Sequence, residues 1–230
     1  MGEFLEYLQE EREDLLELTA QHIVIVAAAV AFATVIGVAI GVLTYRTERP
    51  RDLALAITST FLTIPSMALF GLFVTWFGLR PLNLEFFVGQ WMLDLNLNVL
   101  LALVIYGLLP IVRNTIVGLR EVDPAIVEAA QGMGMGRTQQ LLRIEIPLAW
   151  PVILTGMRVS TLILLGIAAI GAYINGPGLG AEIFGGLSRL GTDVAIPMIL
   201  SGMLGVLVLA ILFDLLYLLI TRLTTSRGLR

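Results

Sequence analysis

Residues 113–147 read R-N-T-I-V-G-L-R-E-V-D-P-A-I-V-E-A-A-Q-G-M-G-M-G-R-T-Q-Q-L-L-R-I-E-I-P. This polar, arginine-bearing insert lies between long apolar runs. A chain that is otherwise apolar rarely keeps such an insert unless something soluble docks on it. Local chemistry gives it a shape. Asp123 can cap a helix whose first residue is Pro124, where proline's missing N–H costs nothing. That helix is expected to run through Ala125 to about Gln131, and Gly132, Gly134 and Gly136 are expected to end it, because glycine tolerates the positive φ of helix endings. Ala129 and Ala130 carry no bulk and invite close approach, and Glu128 offers one charge to a partner arginine or a backbone donor. A second short helix, near Thr138 to Ile144, leads to Pro147 and the next apolar run.

Outward from the insert, the chain reads as a membrane protein. It is 57% hydrophobic and 14% charged, with a mean hydropathy of +0.92, well outside the range of soluble domains. Cysteine is absent, which removes disulfides and thiol chemistry. All fourteen basic residues other than His22 are arginine. A P-loop needs its lysine to reach nucleotide phosphates, so this chain is no P-loop ATPase, and any ATP-driven role needs a second polypeptide. Five segments are long and apolar enough to span a bilayer, near 20–45, 53–78, 95–112, 148–172 and 196–221. Met1–Leu18 is rich in glutamate and lacks the basic start of a secretory signal. Phe4, Leu8 and Leu15 recur at helical intervals among its acids, as an interfacial helix requires.

Arginine sets the orientation. With the amino terminus outside and five spans threaded, the inner side carries Arg46, Arg49, Arg51, Arg113, Arg120, Arg137, Arg143, Arg158, Arg222, Arg227 and Arg230. The outer side carries Arg12, Arg80 and Arg189. Eleven against three is a strong positive-inside bias, and it places the insert in the cytoplasm. Tyr45, Trp150 and Tyr217 fall near inner boundaries, Trp76 and Tyr173 near outer ones. Tyr106 fits neither belt and is expected to pack between helices.

Glu128-Ala129-Ala130, Gly134 and Ile144-Glu145-Ile146-Pro147 match the spacing E-A-A-x3-G-x9-I-x-L-P, with Ile146 where leucine is usual. That pattern resembles the EAA loop of ABC importer permeases. Thr63-Ile64-Pro65-Ser66-Met67-Ala68-Leu69 is similar to the T-I-P-x-x-A-L stretch of the osmoprotectant group, and Leu108–Thr115 to its L-L-P-I-I-R-N-T run. Ala169–Ala172 and Gly178-Leu179-Gly180 are similar to the group's fourth-span exit and outer turn. The resemblance covers roughly residues 20–222. It implies an all-α membrane protein of about five spans with the type I (MetI-like) permease fold. Residues 1–19 are expected to form an acidic extracytoplasmic segment, 20–222 the permease domain with a cytoplasmic coupling loop at 113–147, and 223–230 a cytoplasmic tail.

The same resemblance implies a transport subunit that makes no bonds itself and binds no cofactor, ATP and Mg being held by partner ATPase subunits. A second permease, identical or paralogous, and an extracytoplasmic solute-binding protein complete the implied assembly in the cell membrane, and nucleic acid has no place in it. Glycine betaine, carnitine, choline and proline betaine are the implied solutes. Asp123, Glu128, Ala129, Ala130, Gly134, Arg137 and Pro147 are the expected ATPase-coupling residues. Pro65, Ser66, Met67 and Asp214 are candidates for the pathway or gate. Pro65 should kink the second span, and Asp214 should face protein or water, with the spans offering it no other buried charge. Gly37 and Gly41 form a G-x-x-x-G pair that permits close helix contact. His22, the lone histidine, sits at an outer boundary without ligand companions, so no metal site is expected.

Two other readings stay open on residues alone. A permease for an amino acid such as methionine would share the EAA loop. A secondary transporter or channel would also be helical, but five spans without an internal repeat and one span acid suit it poorly. An intramembrane protease would need a serine–histidine pair or two opposed aspartates, and the lone His22 lies at the wrong depth while the span acids are too few.

Overall fold

The computed structural model describes residues 2–76, 83–88 and 91–225. The chain runs α1 (Gly2–Glu10), α2 (Arg12–Thr44), α3 (Glu48–Thr63), α4 (Ser66–Trp76), β1 (Asn83–Val88), β2 (Trp91–Asn96), α5 (Leu97–Arg120) and α6 (Pro124–Gly132). It continues through α7 (Arg137–Gln140), a π-helical turn (Leu141–Glu145), α8 (Ile146–Ile170), a 3-10 turn (Gly171–Ile174), α9 (Gly180–Ser188) and α10 (Ala195–Thr224). Among the described residues, α2, α5, the α7–α8 run and α10 are each long and apolar enough to cross a membrane. The pair α3–α4 makes a fifth span if its two arms, bent by 95°, are counted together.

That bend has a local cause. Pro65 cannot continue the helix, and it forces Ile64 before it into an extended conformation (φ −69°, ψ 130°). The Ile64 carbonyl, freed from any helical donor, accepts a 2.6 Å hydrogen bond from the buried Tyr106 hydroxyl on α5. The expected kink is thus a full break, fixed in place from the neighbouring span.

The bundle is organised around α5, which packs against α2, α8 and α3. Close approach of α2 depends on the Gly37–Gly41 pair. A Cβ at Gly37 would meet Ile111 at 2.8 Å, and one at Gly41 would meet Thr115 at 2.6 Å, so the small residues set the distance between these helices. Ile25, Val26, Ala29, Phe70, Val99, Leu103, Ile111, Leu164 and Leu165 fill the centre. A second cluster of Leu108, Val112, Ile116, Leu119, Ala149 and Ile153 lies toward the end of the bundle that carries the insert. By contrast, α10 leans on α8 and α9 and leaves most of its apolar face open.

Several features differ from the reading of the sequence. The third span extends to Arg120, so residues 113–120 are the end of a membrane-length helix. It starts where expected, with the Asn96 side chain accepting from the backbone of Asn98 and Val99. Between α4 and α5, in the connection that the expected spans 53–78 and 95–112 leave between them, an antiparallel hairpin pairs Asn83 with Asn96 and Val88 with Trp91. The fold is therefore helical with one small sheet. Arg80, Arg227 and Arg230 lie outside the described residues. Trp76 and Tyr173 are exposed, as lipid-facing belt residues should be, but Tyr45 and Tyr217 are buried and hydrogen-bonded to other helices.

The acidic amino-terminal segment is helical, and α2 already begins at Arg12. Phe4, Leu8 and Leu15 are half-buried at their helical spacing. The Tyr7 hydroxyl donates to Glu182 on α9 at 2.6 Å, and Ser201 on α10 donates to the same carboxylate at 3.2 Å. Burial, and then the Glu182 carboxylate, push the Tyr7 phenol above its usual range. His22 is fully buried, its Nε2 3.2 Å from the Leu165 carbonyl oxygen. No group of three or more metal-ligating side chains occurs among the described residues.

Candidate coupling site

The insert folds as a helix, a glycine bend and a second helix. The Asp123 carboxylate accepts from the Ala125 N–H at 2.8 Å and caps α6, with Pro124 in the first turn. Beyond Gly132, the Met133 N–H bonds the Ala129 carbonyl at 3.0 Å and the Met135 N–H the Ala130 carbonyl at 3.1 Å. These bonds close the helix end only if the residue between turns left-handed, and Gly134 does, at φ +83°. Of the three glycines expected to stop the helix, this is the one that uses a positive φ. Gly132 is still helical, and Gly136 precedes α7 with φ −70°. Gln140, buried beneath the bend, donates to the Met135 carbonyl at 2.7 Å and holds it closed.

The outer surface of this element is open. Asp123, Glu128, Ala129, Gly134, Arg137 and Pro147 are all exposed. Ala130 is not: its side chain is fully buried under the bend. The smooth surface expected of both alanines therefore belongs to Ala129 alone, and Ala130 is small because α6 packs closely there. Glu128 makes no hydrogen bond or ion pair among the described residues, which leaves its charge free for a partner. Ile126 and Met133 add exposed apolar surface beside it.

The second arm does not end before the membrane. Residues 137–174 form one continuous helical run, so Pro147 sits in the first turn of α8, where it breaks no hydrogen-bond ladder. The join is the π-helical turn Leu141–Glu145, a geometry that is rare and recurs at functional sites. It points Glu145 inward. The buried Glu145 carboxylate accepts from the Tyr45 hydroxyl at 2.6 Å and from Arg46 Nη2 at 2.8 Å, both at the end of α2. Arg46 Nε also donates to the Tyr45 oxygen, closing a three-residue ring of bonds. Arg46 and Arg137 line a cavity of about 250 Å³ beside it, with Val42, Leu43, Thr138 and Leu141. In the motif spacing Glu145 occupies a spacer position and carries no expected role. The acid inside I-E-I-P was the available signal.

The pathway candidates separate. Pro65 and Met67 are exposed and Ser66 half-buried at the break between α3 and α4. Asp214 lies elsewhere, on α10. It is paired with Arg158, the thirteenth residue of α8, whose Nη2 donates to Asp214 Oδ2 at 2.7 Å while Nε donates to Oδ1. Against expectation, Asp214 has a charged partner within the spans, the pair being half-buried, and Arg158 belongs to the middle of a span, not to the arginines at its inner end. Nearby, Thr161 and Tyr217 share a 2.9 Å hydrogen bond between the same two helices.

Comparison with known proteins agrees with this geometry. Residues 33–226 match the family described as binding-protein-dependent transport system inner membrane component. The chain is 37% identical over 226 residues to the osmoprotectant import permease protein OsmW of Salmonella typhimurium, covering 98% of this chain and 99% of that one. It is 31% identical over 230 residues to the glycine betaine/carnitine/choline transport system permease protein OpuCB of Bacillus subtilis, covering 100% and 97%. Among solved structures, an inward-facing form of the MetNI methionine ABC transporter superposes with a TM-score of 0.75 at 20% identity, covering 92% of this chain and 96% of that one.

Proposed function

Since the chain belongs to the family of binding-protein-dependent transport system inner membrane components and is a multi-pass permease subunit, we propose that it forms the pathway of an ATP-driven importer for compact osmoprotectants such as glycine betaine, carnitine, choline or proline betaine. The observation that carries the mechanism is the insert. It presents an exposed, capped helix with a free carboxylate at Glu128, and its second arm is continuous with a span. A separate ATPase seated on α6 and the Gly134 bend, closing on ATP and Mg, would move α8 directly. Two permease subunits, two ATPase subunits and an extracytoplasmic binding protein make the working assembly. Asp123, Glu128, Ala129, Gly134 and Arg137 form the docking surface, Ala130 supports it from beneath, and Pro147 starts the span that responds.

Charge supports the solute class. In the described spans, Arg158 and Asp214 neutralise each other, which leaves no carboxylate cluster for a strong cation and no arginine cluster for phosphate or sulfate. A zwitterion with a quaternary ammonium suits such a path, aromatic faces holding it by cation–π attraction. The names of the relatives point the same way. The test is uptake by the permease reconstituted with its cognate ATPase and binding protein. Betaine, carnitine or choline should accumulate and methionine should not, and methionine or sugar uptake without any quaternary amine would refute the solute assignment.

Two further expectations belong to this reading. Glu128→Lys, or a bulky residue at Gly134, should lower ATPase association about tenfold or more, as loss of a charge-assisted contact or a strained left-handed backbone implies, while the spans stay folded. Co-purification of the ATPase subunit measures it, and undiminished binding by both variants would remove the insert from the interface. The proposed orientation, amino terminus outside and insert inside, predicts that a cysteine at Gly2 labels from outside in intact cells. One at Arg230 should be protected, and labelling of both from one side would contradict an odd number of spans.

A further inference from the structure

We propose that Glu145, Tyr45 and Arg46 form a joint that makes the end of α2 move with the insert, so that one ATPase stroke displaces α2 along with the two spans, α5 and α8, that the insert connects. This rests on the importer reading above and goes beyond it, since docking on α6 by itself acts on α5 and α8, the two spans the insert connects in the chain, and not on α2. The geometry is specific. Glu145 lies within the π-helical turn between the docking element and α8, and its carboxylate is buried. Its two oxygens are taken by two donors from consecutive residues, Tyr45 at 2.6 Å and Arg46 at 2.8 Å, a hundred residues away in sequence. Glu145 and Tyr45 are buried while Arg46 is partly exposed, and a charge-assisted bond to a buried carboxylate is among the stronger polar contacts a protein makes.

The joint sits where it can transmit. Tyr45 follows the last turn of α2 directly and packs in the cluster with Leu108, Val112, Ile116, Leu119, Ala149 and Ile153. Beyond it, α2 is seated on α5 through Gly37 and Gly41. A π-helical turn carries one more residue per turn than an α-helix, and here it orients Glu145 toward α2 while Leu142 beside it faces out. Glu145 is a positioning residue: it touches no solute, and it acts through the helices it ties.

The test uses the whole complex in proteoliposomes, with glycine betaine as solute and with Glu145→Leu, Glu145→Gln and Tyr45→Phe. ATPase association and ATP hydrolysis should persist, while solute moved per ATP falls about tenfold in Glu145→Leu, the scale expected for lost charge-assisted bonds. The fall should be smaller in Glu145→Gln and Tyr45→Phe, which keep the volume and part of the bonding. The chain has no cysteine, so spin labels at Leu43→Cys and Leu142→Cys, both exposed, report the joint directly. Their separation should be single and narrow with and without ATP, and broad in Glu145→Leu. Should Glu145→Leu fail to fold, the two conservative variants carry the test. A wild-type solute-to-ATP ratio and a narrow separation in all the folded variants would overturn the proposal. Loss of ATPase binding would also overturn it, by making Glu145 a docking residue. If the wild-type complex shows no ATP-dependent uptake of any solute, the importer reading fails and the joint falls with it.

Discussion

Replacing Asp214 with leucine while Arg158 remains is expected to cost about 3 kcal/mol of stability in the membrane, since it leaves a lone guanidinium within the span. Arg158→Leu alone should cost a similar amount by stranding the carboxylate. The double variant should recover most of the loss, because two apolar side chains of suitable size need no pairing, and residues in contact do not add independently. Thermal unfolding of the purified chain in detergent, and its yield in the membrane, measure this. Additive losses in the double variant would show that the two side chains are not energetically paired. The same variant separates two roles for Asp214. If it is stable and still transports, the pair is structural, joining α8 to α10 as Thr161 and Tyr217 do nearby. If it is stable and inactive, the pair serves the pathway.

Gly180→Ala should be more damaging than its size implies. A Cβ at Gly180 would lie 2.0 Å from the Ala169 carbonyl oxygen and 2.7 Å from its carbon. The obstacle is backbone, so no rotamer change relieves it, and the start of α9 must lift off α8. A cost of about 4 kcal/mol is expected, at the upper end for single substitutions. Gly132→Ala makes a matched control, since nothing lies within 4 Å of its Cβ position and alanine favours the helix by up to about 1 kcal/mol. Melting of the two variants side by side should give a large fall for the first and little change for the second. Equal melting would mean that α9 is not held where Gly180 holds it.

The parts of this molecule legible in the sequence are those written in local chemistry. Long apolar runs gave the spans, Pro65 marked the break, and Asp123-Pro124 marked the start of α6 to the residue. Gly134 was visible among three glycines but not distinguishable from them, because only the bend's hydrogen bonds decide which one needs a positive φ. What stayed hidden depends on depth or on distant pairing. Hydropathy assigns an arginine to a side of the membrane but not to a depth, and so Arg158 was counted with the inner arginines although it sits mid-helix opposite Asp214. Glu145 and Tyr45 lie a hundred residues apart, and no periodicity links them. The hairpin at Asn83–Asn96 was missed because the same stretch, with its scattered polar residues, satisfies a loop equally well.

The unbroken helix from the insert through α8 has a mechanical consequence. Near its middle, Gly156 lies so close to α5 that a Cβ there would meet the Pro110 carbonyl oxygen at 2.7 Å, the tightest of the glycine approaches between these two helices. A tilt of α8 against α5 would then pivot at Gly156, as a see-saw does at its fulcrum. At about 1.5 Å per residue, one arm to Arg137 is about 28 Å long and the other to Ile170 about 21 Å. A tilt of about 10° carries the two tips about 5 Å and 4 Å in opposite directions, on those arm lengths. The far tip leads into the 3-10 turn and α9, so with such a pivot a push at one rim of the bundle would reappear at the opposite rim with reversed sense and little attenuation.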